Sequence, residues 1–385
     1  MMTTTTTSRP IPSTSTRSRS WIERAALVWS ALAAAVGAWW LADPDAFPDY
    51  LDKVSGNGSL VTLLEPTMVS TVLVLLGLVG VLAAATSRLL LPIGVAYAVV
   101  FGLLATDLSL LVTMGYSTAI FGPPLLFCYL VAASVHRPAL RWVVVAVAGG
   151  AVTLVAATGA GTSAFAEFGH DIGDGLGRSG VAMSVGLASF IGGALWLLAA
   201  LRSAGLHRAQ APSAPRYVRP RRDWGWWVTV IAALCPLPYA LLRMTWLTPW
   251  PTIIDPETLA SEPAMRIFGL SLGFAAIGGA VLTIGLLMQW GSVYPRWIPM
   301  VGGRPVPPVW PTATAVVVGA AVTVAGRSML QMTFTEEDVM TTKWETMLML
   351  PFPLWGPLLI AAAIAYYRRR TATVRTSRER NVSVV

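Results

Sequence analysis

The chain has 385 residues, 55% of them hydrophobic and only 12% charged, with a net charge of +8. An ordinary soluble protein carries about 25% charged residues, so a water-facing shell around a core of this size is excluded. The positive charge lies in short clusters between long apolar runs, which argues against a nucleic-acid partner and for basic residues that mark one side of a membrane.

Residues 1–20 are rich in Thr and Ser with scattered Arg. They are too polar to bury a core, and a disordered cytoplasmic tail is expected there. Ten apolar runs follow, near 21–42, 67–86, 89–106, 117–135, 139–160, 180–201, 225–246, 267–290, 309–330 and 348–367. Each is close to the roughly 20 residues that a helix needs to cross the hydrocarbon core. The sixteen tryptophans fit the same reading, because Trp anchors at the membrane boundary. The expected fold is therefore all-α, a polytopic transmembrane helix bundle of about ten spans. Small residues such as Ala33, Ala35 and Ala38 imitate a signal-peptide cleavage site, but the first run reads as a retained helix. The segment Asp107–Ser117 belongs either to a helix or to a short external loop. Gly122-Pro123-Pro124 is expected to open the fourth span, where proline is tolerated.

Charge orients the spans. With the N-terminus inside, 21 of the 27 basic residues fall on the inner side, whereas every acid except Glu23, Asp223 and Glu379 falls outside, as basic residues prefer the inner face. One missed span would invert every later loop, so the pattern supports an even number, with both termini cytoplasmic in a bacterial plasma membrane. The basic loop 203–223 and the basic tail 371–385 are expected to face anionic lipids at the cytoplasmic surface. The lipid bilayer is the one partner the sequence implies.

Similar strings recur six spans apart. Glu65-Pro66-Thr67-Met68 precedes the second span and Glu262-Pro263-Ala264-Met265 the eighth; Gly122-Pro123-Pro124-Leu125-Leu126 answers Gly356-Pro357-Leu358-Leu359. An even offset preserves orientation, so the chain reads as a 4+2+4 arrangement with parallel internal repeats. Residues 21–135 would form one four-helix unit, 139–202 an inserted pair, and 224–370 the second unit. The plainer account is that Glu-Pro and Gly-Pro are ordinary chemistry for starting a helix.

Candidate site residues are few. Pro236 and Pro238 interrupt the seventh span and withdraw backbone donors. Arg243 follows them, and Arg327 lies near the outer end of the ninth span; charges within spans are functional candidates by default. With Asp107, Glu65, Glu262 and Glu345 near outer helix ends, these two arginines would form an outward-facing polar vestibule. The plainer reading is a set of interfacial ion pairs worth little each. The stretch Phe168–Gly180, with His170, Asp171 and Asp174, reads as a flexible Gly-rich external loop, and its Gly-x-Gly-x-x-Gly string follows no strand. Gly269 and Gly273 permit close helix packing. Cys128 and Cys235 suggest neither a disulfide framework nor a metal site. No nucleotide-binding or hydrolase motif is present, so no cofactor and no catalytic residue is expected.

Three strings carry a resemblance: Leu237–Trp246, Tyr294–Pro299 with Gly303–Pro307, and Leu354–Leu358. They resemble uncharacterised actinobacterial multi-pass membrane proteins of about ten spans. The resemblance implies a membrane location and a source, and it transfers no activity and no functional residue. A transporter or permease is the leading functional expectation. A non-catalytic structural or regulatory membrane protein is the alternative, and a membrane-embedded enzyme ranks third because no acid or His sits in the middle of a span.

Overall fold

The computed structural model describes residues 20–48, 60–86, 89–159, 161–204, 221–252, 254–298, 301–335 and 349–382. Among these residues there is no strand, and the one isolated bridge joins Val293 to Pro305. The helices are α1 (Trp21–Ala42), α2 (Pro66–Thr86), α3 (Leu90–Val99), α4 (Leu108–His136), α5 (Ala139–Thr158), α6 (Thr162–Ser203), α7 (Trp224–Leu234), α8 (Leu237–Met244), α9 (Pro256–Ser261), α10 (Pro263–Gly285), α11 (Val309–Thr335) and α12 (Phe352–Val382). The protein is an all-α polytopic helical bundle.

Among the described residues, eight helical stretches are long and apolar enough to cross a membrane, with α7 and α8 counted as one. The other two expected runs are helical as well. The third is α3 extended by a π turn over Val100–Leu104. Its length is roughly 22 Å from the rise of a helix, short of a core of roughly 30 Å. The tenth is the start of α12, whose later part is rich in arginine.

Local chemistry starts these helices. Ser20 and Glu23 form a capping box on α1, in which each residue's side chain satisfies the other's free amide. The Ser20 hydroxyl accepts from the Glu23 amide at 3.3 Å, and the Glu23 carboxylate accepts from the Ser20 amide at 3.2 Å. Asp107, Asp223 and Asp255 cap α4, α7 and α9 by the same acceptance of orphan amides. Proline stands in the first turn of α8, α9 and α10, where the amide it withdraws has no helical partner.

Small residues then let helices touch. On α2, a Cβ at Gly77 would lie 2.6 Å from the Ala34 amide nitrogen of α1. In the same layer Trp196 of α6 is fully buried and donates from Nε1 to the Ser30 hydroxyl at 3.1 Å, edge-on to Tyr97 of α3. The Tyr97 hydroxyl donates to the Leu76 carbonyl of α2. The buried cluster Ala26, Ala83, Ala84, Leu90, Tyr97, Phe101 and Trp196 therefore locks α1, α2, α3 and α6 together. At the other side α11 packs along α12, where Gly319 and Gly356 face each other's helix. α4 bridges the two groups by touching α6, α10 and α11. None of α5 is buried, which in a bilayer is a lipid-facing helix.

Of the two alternatives for Asp107–Ser117, the helical one is found: Asp107 caps α4, which runs unbroken through this segment. Two features depart from the sequence reading. Pro123 and Pro124 accordingly lie inside α4 and not at its start, an interior placement that membrane helices accommodate. The expected Gly-rich loop is helix, because Phe168–Gly180 forms part of α6. The apolar residues Phe165, Phe168, Ile172 and Leu176 recur at helical spacing, and that period outweighs a glycine cost of about 1 kcal/mol each. α3 packs on α6, and α11 packs on α12.

Candidate functional site

A half-buried arginine and a buried acid lie close together where two distant parts of the chain meet. α3 ends in the π turn Val100–Leu104, and π turns inside helices are frequent at functional sites. The chain then turns through Thr106 and Asp107 into α4. Both residues are buried, Asp107 to within 1% of full burial. The Thr106 hydroxyl donates back to the Gly102 carbonyl at 3.1 Å. The Asp107 carboxylate accepts from the Ser109 amide at 2.9 Å and from the Ser109 hydroxyl.

Arg327 arrives from α11. Its Nη2 donates to the Thr106 carbonyl at 2.6 Å and its Nη1 to the Gln331 side-chain oxygen at 3.3 Å, one turn further along the same helix. The carbonyl it binds belongs to the residue just before Asp107. Ser328, next along α11, is fully buried. A half-buried guanidinium thus binds the backbone next to a buried carboxylate where one helix breaks and the next begins. Taking either charge out of water costs several kcal/mol unless it is paired and hydrogen-bonded.

Arg243 lies elsewhere. Its Nε donates to the Tyr239 hydroxyl at 3.1 Å, and its guanidinium carbon sits 4.1 Å from the Trp246 ring centroid and 5.2 Å from that of Tyr239. Gly269 and Gly273 of α10 make room for this group: a Cβ at Gly273 would lie 2.9 Å from the Arg243 Cβ and 2.7 Å from the Met244 methyl, and one at Gly269 would strike the Trp246 ring. Arg243 is therefore held by stacking between α8 and α10. Arg266, which the sequence reading passed over, donates from Nε to the Trp246 carbonyl at 2.8 Å. Trp246 in turn donates from Nε1 to the Thr252 carbonyl at 3.0 Å.

Pro236 and Pro238 do break the seventh span, between Leu234 and Leu237. The break is closed by the Cys235 amide on the Ile231 carbonyl at 3.2 Å and the Ala240 amide on the Pro236 carbonyl at 3.1 Å. Glu65 and Glu262 are exposed at the starts of α2 and α10. Glu345 lies outside the described residues. A cavity of about 360 Å³ is lined by Ala157, Leu247, Thr248, Leu259, Arg266 and neighbouring prolines, and by none of the five described vestibule candidates. The structure thus brings Arg327 to the backbone beside Asp107 and places Arg243, Glu65 and Glu262 on separate elements.

His170 and Asp174 approach within 3.3 Å one turn apart on α6, both exposed. Among the described residues no three His, Cys, Asp or Glu side chains converge as metal ligands. Thr106, Ser109 and Gln331 complete the charge site and were not singled out from sequence. Asp107 ahead of an apolar run is an N-cap signature, and Gln331 stands four residues from Arg327 on a helix, where side chains meet; both signals were present.

No family model, no curated protein and no solved structure matches the chain.

Proposed function

We propose that this membrane protein is a transporter-like permease of a bacterial plasma membrane, with ten spans, cytoplasmic termini and its polar site at Arg327 and Asp107. The observation that carries the reading is the Arg327 guanidinium bound to the backbone beside the buried Asp107 at a helix break. Ionisable groups inside spans are costly and mark substrate or ion pathways, and interrupted helices form the binding sites of many transporters. The vestibule inferred from the sequence contracts to this pair. The charge balance of the loops supports the orientation, through the preference of basic residues for the inner side.

The test is functional. Arg327→Gln and Asp107→Asn are introduced separately into the gene and scored in any phenotype that deletion produces, alongside the amount of protein in the membrane. Loss of function with normal abundance supports the site; full complementation by both variants contradicts it. The second reading is a non-catalytic structural or regulatory membrane protein. It is favoured by how many buried hydroxyls close within their own helices. Thr229 does so on the Gly225 carbonyl at 2.6 Å and Ser70 on the Pro66 carbonyl at 2.8 Å.

A further inference from the structure

Three segments meet at the end of the bundle where α7 begins and the apolar part of α12 stops. α12 packs against α7, and a Cβ at Gly225 would lie 2.7 Å from the Ala365 Cβ and 2.9 Å from Arg369 Nη1. The loop between α10 and α11 is tied to the same place. The Tyr366 hydroxyl donates to the Gly291 carbonyl at 2.7 Å, and Arg370 Nη2 donates to the Val306 carbonyl at 2.9 Å. Within the loop the Tyr294 amide bonds the Arg304 carbonyl at 3.0 Å, and the Gly303 amide returns to the Tyr294 carbonyl at 2.8 Å. Gly303 turns in the left-handed region, with positive φ, a conformation that favours glycine. The rim is therefore built and ordered.

Arg369 and Arg370 are engaged inside this rim, Arg369 under the influence of Asp223. Arg221, Arg222 and Arg368 remain exposed on these segments, as do the rings of Trp224 and Trp227. Arg222 is pre-positioned, with its guanidinium carbon 5.5 Å from the Trp226 ring centroid. Stacking holds a guanidinium by its face and leaves its in-plane N–H edges for an acceptor. Asp223 is the one acid in residues 221–234, 286–310 and 352–371, and it caps α7.

We propose that this rim is a binding site for an anionic phospholipid of the host bilayer, with Arg221, Arg222 and Arg368 holding the headgroup and Trp224 and Trp227 its upper chains. Arginine matches phosphate bidentately. Tryptophan prefers the boundary layer in which headgroups lie. The site requires membrane embedding and no transport, so its failure and the failure of the Arg327–Asp107 site are read in different assays.

The test uses the purified full chain in a zwitterionic detergent. Phosphatidylglycerol and phosphatidylcholine of matched acyl chains are added, and retained lipid is read by native mass spectrometry with the melting temperature. Wild type should retain phosphatidylglycerol preferentially and melt higher with it. R221Q/R222Q/R368Q should lose that preference about tenfold or more, whereas R221K/R222K/R368K should keep part of it and report a folded rim. R137Q/R141Q, removing exposed charge from the α4–α5 turn assigned to the same membrane side, should keep it fully. Equal retention of both lipids by wild type, or equal loss in the two glutamine variants, overturns the site in favour of diffuse surface charge. Stabilisation by inorganic phosphate matching that of the lipid overturns the lipid assignment in favour of a free anion.

Discussion

Gly269 shows how one side-chain-free position decides a neighbourhood. Its missing Cβ admits the Trp246 ring, on which Arg243 stacks. Gly269→Leu should overpack this contact and destabilise the protein by about 1–3 kcal/mol, measured by unfolding in detergent. Gly278 is on the same helix with nothing within 4 Å of its added Cβ. Gly278→Ala should be neutral or slightly stabilising, by up to about 1 kcal/mol. Equal losses in both variants would contradict the packing assigned to Gly269. A second residue prediction concerns Asp255, outside the spans. The Thr258 hydroxyl and amide, at 2.6 and 2.8 Å, hold its carboxyl below the ordinary value. Because the folded value is the depressed one, the cap is fully present above the unfolded carboxyl range and is lost as pH falls through the folded value. Thr258→Val should bring the Asp255 titration, followed by NMR, back up towards the ordinary range.

At the scale of the element, α6 is the most informative. It has 42 residues, whereas its spanning part is Met183–Ser203. The rise of a helix makes its whole length roughly 63 Å, so the first half continues beyond the span. Hydrogen exchange should show protected amides over 164–182, and Gly173→Pro should remove that protection locally; unprotected amides in the unaltered chain would contradict a helix there. Glycine punctuation made this segment look like a loop, and its apolar period was the better signal. The ten apolar runs were legible because membrane length and hydrophobicity leave a strong imprint. Helix starts such as Asp107 were legible as cap chemistry once read against the run that follows. The pairing of helices was not, because lipid-facing and buried surfaces are equally apolar. The charge site was half legible: Arg327 and Asp107 stood out as ionisable residues near spans, but their meeting needs a contact across more than two hundred residues of chain. Arg243 carried the same sequence signal and is held by aromatic rings instead.

For the whole molecule, sidedness and access are the claims that matter. In a chain with Cys128 and Cys235 replaced, Asn57→Cys should react with an impermeant thiol reagent on intact cells and Ser213→Cys should not. The reverse pattern would invert the proposed topology. The central claim is that the Arg327–Asp107 pair is a working polar site reached from water, not a sealed structural pair. Gln331 is half-buried and hydrogen-bonded to Arg327, so the direct measurement is the reactivity of Gln331→Cys in the same cysteine-replaced background. A small impermeant thiol reagent added outside should label it, more slowly than Asn57→Cys, with labelling altered by Asp107→Asn. No labelling at Gln331→Cys, while Asn57→Cys labels fully, would contradict the account.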